Sequence, residues 1–308
     1  MQPYDYLRED SLFSLQLHKK VRRWLCHDVT FHSAHRNRYQ KDNIAYGRYY
    51  MPGTGTRFPL VILLHGLGRM GRRDAMPCDI LARDLAKAGI ASFVLQLELP
   101  LQETEGGTKQ QFSIPFVENW LELYQMLVIN LRQVIDWAES RDELDAQSAA
   151  VIGMSMGGIA AAIAMAVDSR IGAGVFIVTG GNMEIITWKS KNEVARINHN
   201  CTRAQCHEVY RHYPQYLADV KKKGIDYVVP AKECFLFDPI TFAPCLQGRP
   251  LLMINAERDD FVPRDSTLQL WEACGCPPMV WLPGEHNTIF LRYHSIRREV
   301  TSFLDSFL

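Results

Sequence analysis

Apolar and polar positions follow a repeating order along most of the chain. Short continuous apolar runs, such as PLVILLHG (59–66), alternate with longer segments such as 116–140, in which apolar residues recur every three or four positions. Continuous runs are typical of strands buried on both faces, and the wider spacing is typical of helices that bury one face. The pattern predicts an α/β fold with a mostly parallel central sheet flanked by helices.

The predicted strands cover 29–33, 44–52, 59–66, 90–99, 148–155, 171–181, 249–257 and 277–284. The predicted helices cover 11–27, 74–89, 116–140, 156–168, 265–275 and 289–307. Ligands of such sheets bind at the carboxyl ends of the parallel strands. We therefore expect the chemistry in the loops that follow the strands.

Residues 182–248 interrupt the alternation and carry little continuous apolar pattern. An unbroken loop of this length is uncommon in a compact domain, so we expect a mostly helical cap over the carboxyl edge of the sheet. The domain organisation follows from this. Residues 1–43 form an N-terminal helical arm and first strand, and 44–181 and 249–308 form the two parts of the core.

Composition narrows the classes of partner. The 308 residues include 34 basic and 34 acidic side chains, and a balanced charge argues against binding nucleic acid or an anionic membrane. No apolar stretch approaches the ~20 residues of a membrane span, and the N-terminus lacks the apolar run of a secretory signal. We expect a cytoplasmic protein, and the N-terminal arm is a candidate contact to a second copy in a homo-oligomer.

Eight cysteines are present, and cytosolic thiols stay reduced. One local cluster combines His199, Cys201, Cys206 and His207. Its spacing matches none of the usual zinc patterns, so we expect no metal there and read the cysteines as free thiols.

The segment VIGMSMGGIAAAIA (151–164) contains the clearest candidate for chemistry. GMSMG fits G-x-S-x-G, the nucleophile elbow, and lies where a predicted strand meets a predicted helix. In an elbow, Gly153 and Gly157 avoid clashes of a Cβ with neighbouring strands, and Ser155 Oγ is lifted above the sheet. The N–H of Met156 then stabilises an oxyanion at the helix N-terminus. The alternative is a glycine-rich turn with an incidental serine.

A second oxyanion donor is expected in the loop after an earlier strand. HGLG (65–68) follows the strand PLVILL, and we predict that the Leu67 N–H is this donor. Gly66 and Gly68 allow the backbone to approach the substrate closely. We expect His65 to shape this loop rather than to act as a base.

The other two members of a triad have candidates after later strands. AERDDFVP (256–263) offers Asp259, which we favour over Asp260 and Glu257 as the acid that orients a histidine. PGEHNTIF (283–290) offers His286 as the general base. The order Ser155, Asp259, His286 along the chain is the order that this architecture uses.

Two aromatic residues are candidates for the substrate pocket. Phe112 lies in the loop after the strand 90–99, and Trp188 lies in the predicted cap. Both are placed to shape an acyl or aryl pocket, and packing in a small core is the alternative for the cap aromatics.

Together, the segments PLVILLHGLG, VIGMSMGG, PLLMINAERDDFVP and PGEHNTIF resemble the α/β-hydrolase superfamily over about 45–181 and 249–308. Within it the chain looks like the dienelactone-hydrolase-like and acyl-peptidase-like serine esterases. The resemblance implies a Ser-His-Asp triad of Ser155, Asp259 and His286. Dienelactone hydrolases proper use a cysteine nucleophile, whereas position 155 is a serine.

The function we expect is hydrolysis of a carboxylic ester through an acyl-enzyme, with a small-molecule ester as substrate and no cofactor. A peptidase, amidase or thioesterase would use the same triad, although the first 43 residues are too few for the propeller of an oligopeptidase. A non-catalytic binding protein on a hydrolase fold is a further alternative. Such proteins usually lose a triad member, and here all three are present.

Overall fold

The computed structural model describes residues 3–8, 12–38, 40–67, 75–97, 117, 119–192, 195 and 201–308. In this part of the chain nine strands form one sheet: β1 (Ser14–Val21), β2 (Trp24–His32), β3 (Ile44–Pro52), β4 (Phe58–Leu64), β5 (Ala91–Gln96), β6 (Leu144–Met154), β7 (Ile171–Ile177), β8 (Leu251–Ala256) and β9 (Met279–Leu282). Their order is β1-β2-β3-β5-β4-β6-β7-β8-β9. The pairs among β1, β2, β3 and β5 are antiparallel, and those from β5 through β4 to β9 are parallel.

Ten helices accompany the sheet in the described residues: α1 (Met76–Lys87), α2 (Trp120–Glu139), α3 (Met156–Val167), α4 (Met183–Lys189), α5 (Arg203–Tyr210), α6 (Tyr213–Lys223), α7 (Cys234–Phe237), α8 (Pro239–Phe242), α9 (Arg264–Ala273) and α10 (Tyr293–Asp305). Helices α2 and α3 belong to one hydrophobic core, and α1 and α10 belong to the other. The predicted mostly parallel sheet between two layers of helices is confirmed.

Strand β4 shows why the apolar runs predicted strands correctly. Leu60, Ile62 and Leu64 pack into the core under α2 and α3. Val61 and Leu63 point the other way, into the core under α1 and α10. Successive side chains of a strand face opposite sides of a sheet, so a strand covered on both sides needs apolar residues at every position.

The helix predicted over 11–27 is wrong, because this segment forms β1, the following turn and the start of β2. Trp24 and Cys26 enter one core, whereas Val29 and Phe31 enter the other. Leu15 and Val21 belong to β1, whereas Trp24 and Cys26 belong to β2, so the helical spacing over 11–27 arises across two strands and the turn between them. Pairing of β2 with β3 along its full length decides the structure.

The N-terminal segment packs on its own chain. Tyr4 is buried, its hydroxyl donates to the Leu236 carbonyl at 2.8 Å, and its own carbonyl accepts from Arg132 Nη1 at 2.7 Å. Arg132 lies on α2, so the segment runs along this helix and reaches the cap.

The interruption at 182–248 carries α4 to α8, inserted between β7 and β8, which confirms a mostly helical insertion. Within the described part of the chain, no helix combines the length and apolarity needed to cross a membrane.

Candidate active site

Ser155 occupies a sharp turn between β6 and α3. Its φ and ψ of 55° and −120° lie in a region that non-glycine residues rarely adopt. The Ser155 N–H donates to the Ile177 carbonyl at 2.8 Å, and the Ser155 carbonyl accepts from the Gly158 N–H at 2.8 Å. Backbone bonds to β7 and within the first turn of α3 therefore hold the strained conformation in place.

The two glycines of the motif fit the turn for different reasons. A Cβ at Gly157 would lie 2.5 Å from the carbonyl oxygens of Leu64 and His65, at the end of β4. A Cβ at Gly153 would lie 2.3 Å from the Gly157 carbonyl oxygen. The clash expected with a neighbouring strand thus occurs at Gly157, whereas at Gly153 it involves α3.

Ser155, His286 and Asp259 form a hydrogen-bonded row at the carboxyl edge of the sheet. His286 Nε2 lies 2.9 Å from Ser155 Oγ, and His286 Nδ1 lies 2.9 Å from each carboxylate oxygen of Asp259. The side chains of His286 and Asp259 are each only 8 % exposed. The three residues come from loops after β6, β8 and β9, and the structure brings them into direct contact.

The neighbouring acids take other positions. Asp259 Oδ1 accepts the backbone N–H groups of Phe261 and Val262 at 2.9 and 2.7 Å, which fixes the orientation of the carboxylate. Asp260 Oδ1 accepts the backbone N–H of His286 at 3.3 Å and does not reach the imidazole. Glu257, the third candidate, is exposed.

Phe261 is a residue of the site that the sequence analysis did not identify. Its ring stacks on the His286 imidazole, with centroids 5.1 Å apart and an angle of 29° between planes. A phenylalanine two residues after an acid carries no chemical signal by itself, and only the fold reveals this contact.

His65, Gly66 and Leu67 lie beside the serine. A Cβ at Gly66 would be 3.1 Å from Ser155 Cβ, a tight contact that glycine avoids. Leu67 and Met156, the predicted oxyanion donors, line one cavity together with Ser155. Gly68 lies outside the described residues.

Both ring nitrogens of His65 form hydrogen bonds to the backbone. The Leu97 N–H donates to His65 Nε2 at 3.0 Å, which makes Nε2 the acceptor and places the ring proton on Nδ1. His65 Nδ1 lies 2.8 Å from the Gly66 carbonyl oxygen and donates to it. The imidazole therefore tethers the end of β4 to the end of β5, as a loop-shaping residue does.

A cavity of about 60 Å³ opens beside Ser155. Its lining is mostly apolar and includes Leu67, Trp120, Ile159, Met183, Ile186 and Phe237. We call this cavity the serine chamber.

Trp188, one of the two predicted pocket aromatics, does not contribute to the described lining of the serine chamber. Helix α4 presents Met183, Ile186 and Thr187 to it instead. A helix turns about 100° per residue, so the next side chain points elsewhere and packs against the core. Phe112 lies outside the described residues.

Of the His and Cys cluster noted in the sequence, the structure describes Cys201, Cys206 and His207. Cys201 and Cys206 line a second cavity in the cap, and His207 Nδ1 lies 2.8 Å from Glu184 Oε1. His199 lies outside the described residues. Over the described ranges, no group of three or more histidine, cysteine or acidic side chains is arranged to hold a metal ion.

The structure is similar to several solved esterases. An acetyl xylan esterase from Paenibacillus sp. R4 matches with a TM-score of 0.63 and 16 % identity, over 97 % of this chain and 90 % of that one. A cold-adapted esterase from an Arctic intertidal metagenomic library matches with a TM-score of 0.61 and 15 % identity, over 95 % and 97 %. A Pyrobaculum calidifontis esterase matches with a TM-score of 0.55 and 17 % identity, over 91 % and 85 %.

No protein-family model and no curated protein matches the chain. At the identities above, the structural likeness concerns the fold. The chain has the α/β-hydrolase fold.

Proposed function

We propose that the protein is a serine hydrolase that cleaves a carboxylic ester through an acyl-enzyme intermediate. The observation that carries the proposal is the row Ser155 Oγ, His286 Nε2, His286 Nδ1 and the Asp259 carboxylate, each contact 2.9 Å long. This row has the geometry of a nucleophile, a general base and an orienting acid.

In the first half of the reaction, Ser155 Oγ attacks the acyl carbonyl carbon while its proton passes to His286 Nε2. Asp259 accepts the hydrogen bond from Nδ1–H, which selects the tautomer with a free Nε2 and stabilises the imidazolium that forms. The oxyanion is held by the N–H groups of Leu67 and Met156. His286 then protonates the alcohol oxygen, the ester C–O bond breaks, and the acyl group stays on Ser155.

In the second half, water attacks the acyl carbon and gives a proton to His286 Nε2. The bond to Ser155 Oγ breaks, the serine recovers its proton from the imidazolium, and the carboxylic acid leaves. No metal or organic cofactor takes part in these steps. Amides and thioesters react through the same atoms, and the esterases among the similar structures favour an ester as the substrate.

The test is burst kinetics with 4-nitrophenyl acetate and butyrate, beside an aminoacyl anilide and an acyl-CoA. We expect one equivalent of nitrophenol in the burst and preferred turnover of the esters. Ser155→Ala and His286→Ala should each lower kcat by about 10³-fold or more, because both groups act in one unit.

Two substitutions of exposed residues near the C-terminus serve as controls for replacing a serine or a histidine with alanine. Ser306→Ala and His294→Ala alter residues of the same types on the surface, and both should behave as wild type. A wild-type protein that hydrolyses no substrate and is not labelled at Ser155 by a fluorophosphonate would contradict the proposal.

A further inference from the structure

A second and larger cavity adjoins the serine chamber. It measures about 280 Å³, and we call it the cap chamber because α4, α5 and α7 supply much of its lining. Four residues line both cavities: Trp120, Met183, Thr187 and Phe237. The two spaces are therefore adjacent, and these four residues form the wall that they share.

The serine chamber by itself holds little of a substrate. Its volume of about 60 Å³ accommodates ~2–4 groups the size of a water molecule. The reacting ester group fills most of that space. Any longer apolar part of the substrate needs further room, and the cap chamber is the adjoining space.

The buried part of the cap chamber suits an uncharged group with a largely apolar surface, and the two amide side chains of the lining, Asn119 and Gln205, are half-buried and exposed, respectively. Among its described lining, Cys206, Tyr210 and Phe237 are buried, and burial raises the pKa of the Cys206 thiol to about 12, which keeps it neutral. Its charged lining residues in the described chain are Lys232 and Glu233, which are exposed and of opposite sign. Burial of a charge beside Cys206, Tyr210 and Phe237 would cost free energy, whereas burial of an apolar group there would be favourable.

Met183 stands between the two chambers. Its backbone N–H donates to Asp238 Oδ2 at 2.9 Å and to the Tyr210 hydroxyl at 3.1 Å, so the main chain is fixed independently of the side chain. A methionine side chain is unbranched and adaptable. Truncating this side chain enlarges the space where the two chambers adjoin and leaves the anchoring hydrogen bonds in place.

We propose that the cap chamber binds a long apolar group of the ester substrate. This group extends from the serine chamber, past the Met183 side chain, into the cap chamber. This inference rests on the proposed function. The long apolar group belongs either to the acyl part or to the alcohol part of the ester, and both sources have the same apolar chemistry.

Two substrate series distinguish the sources of that apolar group. One consists of 4-nitrophenyl esters from acetate to decanoate, and the other of acetate esters of linear alcohols from ethyl to decyl. We expect kcat/KM of the wild-type protein to rise in one series, by up to about fourfold per methylene group removed from water, until the chamber is filled. The responding series identifies the part of the ester that occupies it.

Variants of lining residues test whether the cap chamber causes this dependence of kcat/KM on chain length. Val209 lines the cap chamber but is not among the lining of the serine chamber. Val209→Trp should lower the eight-carbon to two-carbon ratio of kcat/KM at least tenfold, and Met183→Ala should raise it. Val229, which is 91 % exposed and lines neither cavity, provides the matched control Val229→Trp, with the wild-type ratio.

The outcomes separate this inference from the proposed function. Stoichiometric fluorophosphonate labelling together with identical chain-length ratios in wild type, Val209→Trp and Met183→Ala would overturn the role of the cap chamber. Failure of the wild-type protein to be labelled or to hydrolyse any ester would instead overturn the proposed function. If Val209→Trp does not fold, the ratio measured for Met183→Ala decides the result.

Discussion

Ser155 combines backbone strain with chemical position. A non-glycine residue at φ 55° and ψ −120° carries a conformational cost of about 1–3 kcal/mol, which surrounding bonds must offset. Here the Ile177 carbonyl and the first turn of α3 supply those bonds. The G-x-S-x-G pattern predicted such a turn, because the motif specifies both the glycines and the strand-to-helix context.

The adjacent acids Asp259 and Asp260 allow a test of the triad with two identical substitutions. Asp259→Asn should lower kcat by about 10⁴-fold, because the amide favours the wrong imidazole tautomer at His286. Asp260→Asn should lower kcat by about tenfold or less, since an asparagine oxygen still accepts the His286 backbone N–H. Steady-state kinetics with 4-nitrophenyl butyrate compares the two.

Unfolding curves of both aspartate variants serve as the control for a loss of folded protein. A larger loss of kcat in Asp260→Asn than in Asp259→Asn, with both folded, would assign the acid of the triad to Asp260. The sequence alone favoured Asp259 from its position in the turn, and only the contacts at His286 Nδ1 distinguish the two acids.

At the scale of elements, α3 lies unusually close to the end of β4. The backbone carbonyls of Leu64 and His65 occupy the space that a Cβ at Gly157 would need. Two backbone segments in contact cannot relax as a flexible side chain does. We expect Gly157→Ala to lower the free energy of unfolding by about 3 kcal/mol, the upper end of the range for overpacking.

Urea unfolding of Gly157→Ala measures this cost, and Gly89→Ala controls for the glycine-to-alanine change itself. Gly89 has a φ of +90° and open space around its Cβ position, so its cost should come from backbone strain alone, about 1–2 kcal/mol. A loss at Gly157 that is equal to or smaller than the loss at Gly89 would contradict the expected cost of the contact between α3 and β4.

The elements differ in how well the sequence predicts them. Strands β4, β5, β7 and β8, and β6 from Ala149 onward, are mostly apolar and buried on both faces, so their pattern is unambiguous. In contrast, the segment 11–27 contains β1, a turn and the start of β2, and the apolar spacing across these two strands resembles that of a helix. In the seven-residue helix α4, too few turns exist for the sequence to show which side faces the cavity, and Trp188 was chosen where Met183 lies.

At the scale of the whole molecule, a charged network connects segments distant in sequence. Asp168, at the end of α3, accepts hydrogen bonds from Arg170 and Arg132, at distances between 2.6 and 3.1 Å. Arg170 also donates to Asp136 on α2, and Arg132 donates to the Tyr4 carbonyl of the N-terminal segment. A balanced composition gave no indication of these pairs, because partners in three dimensions leave no spacing pattern in the chain.

The acid limit of stability follows from Asp168. Burial by itself would raise the pKa of this carboxyl, but the hydrogen bonds and charges of Arg170 and Arg132 outweigh burial and hold the pKa below its ordinary value of 3.8. A carboxyl with a lower pKa in the folded state contributes stability that is fully present above the unfolded value. That contribution is lost as pH falls through the folded pKa. Stability from this network should therefore persist down to about pH 4 and decline below it.

Asp168→Asn should lower the free energy of unfolding by about 1–3 kcal/mol at pH 7, because Arg132 loses its carboxylate partner, whereas Arg170 keeps Asp136 and Glu139. The difference from wild type should shrink as pH falls from about 4 to 2, where the wild-type carboxyl becomes protonated as well. Urea unfolding at pH 7, 4.5 and 3 measures the difference in the free energy of unfolding between the variant and wild type.

Asp265→Asn, at an exposed ion pair with Lys189, is the matched control, and we expect it to change the free energy of unfolding by about 0–1 kcal/mol. A difference between Asp168→Asn and wild type that stays constant down to pH 3 would show that ionisation of Asp168 does not stabilise the fold.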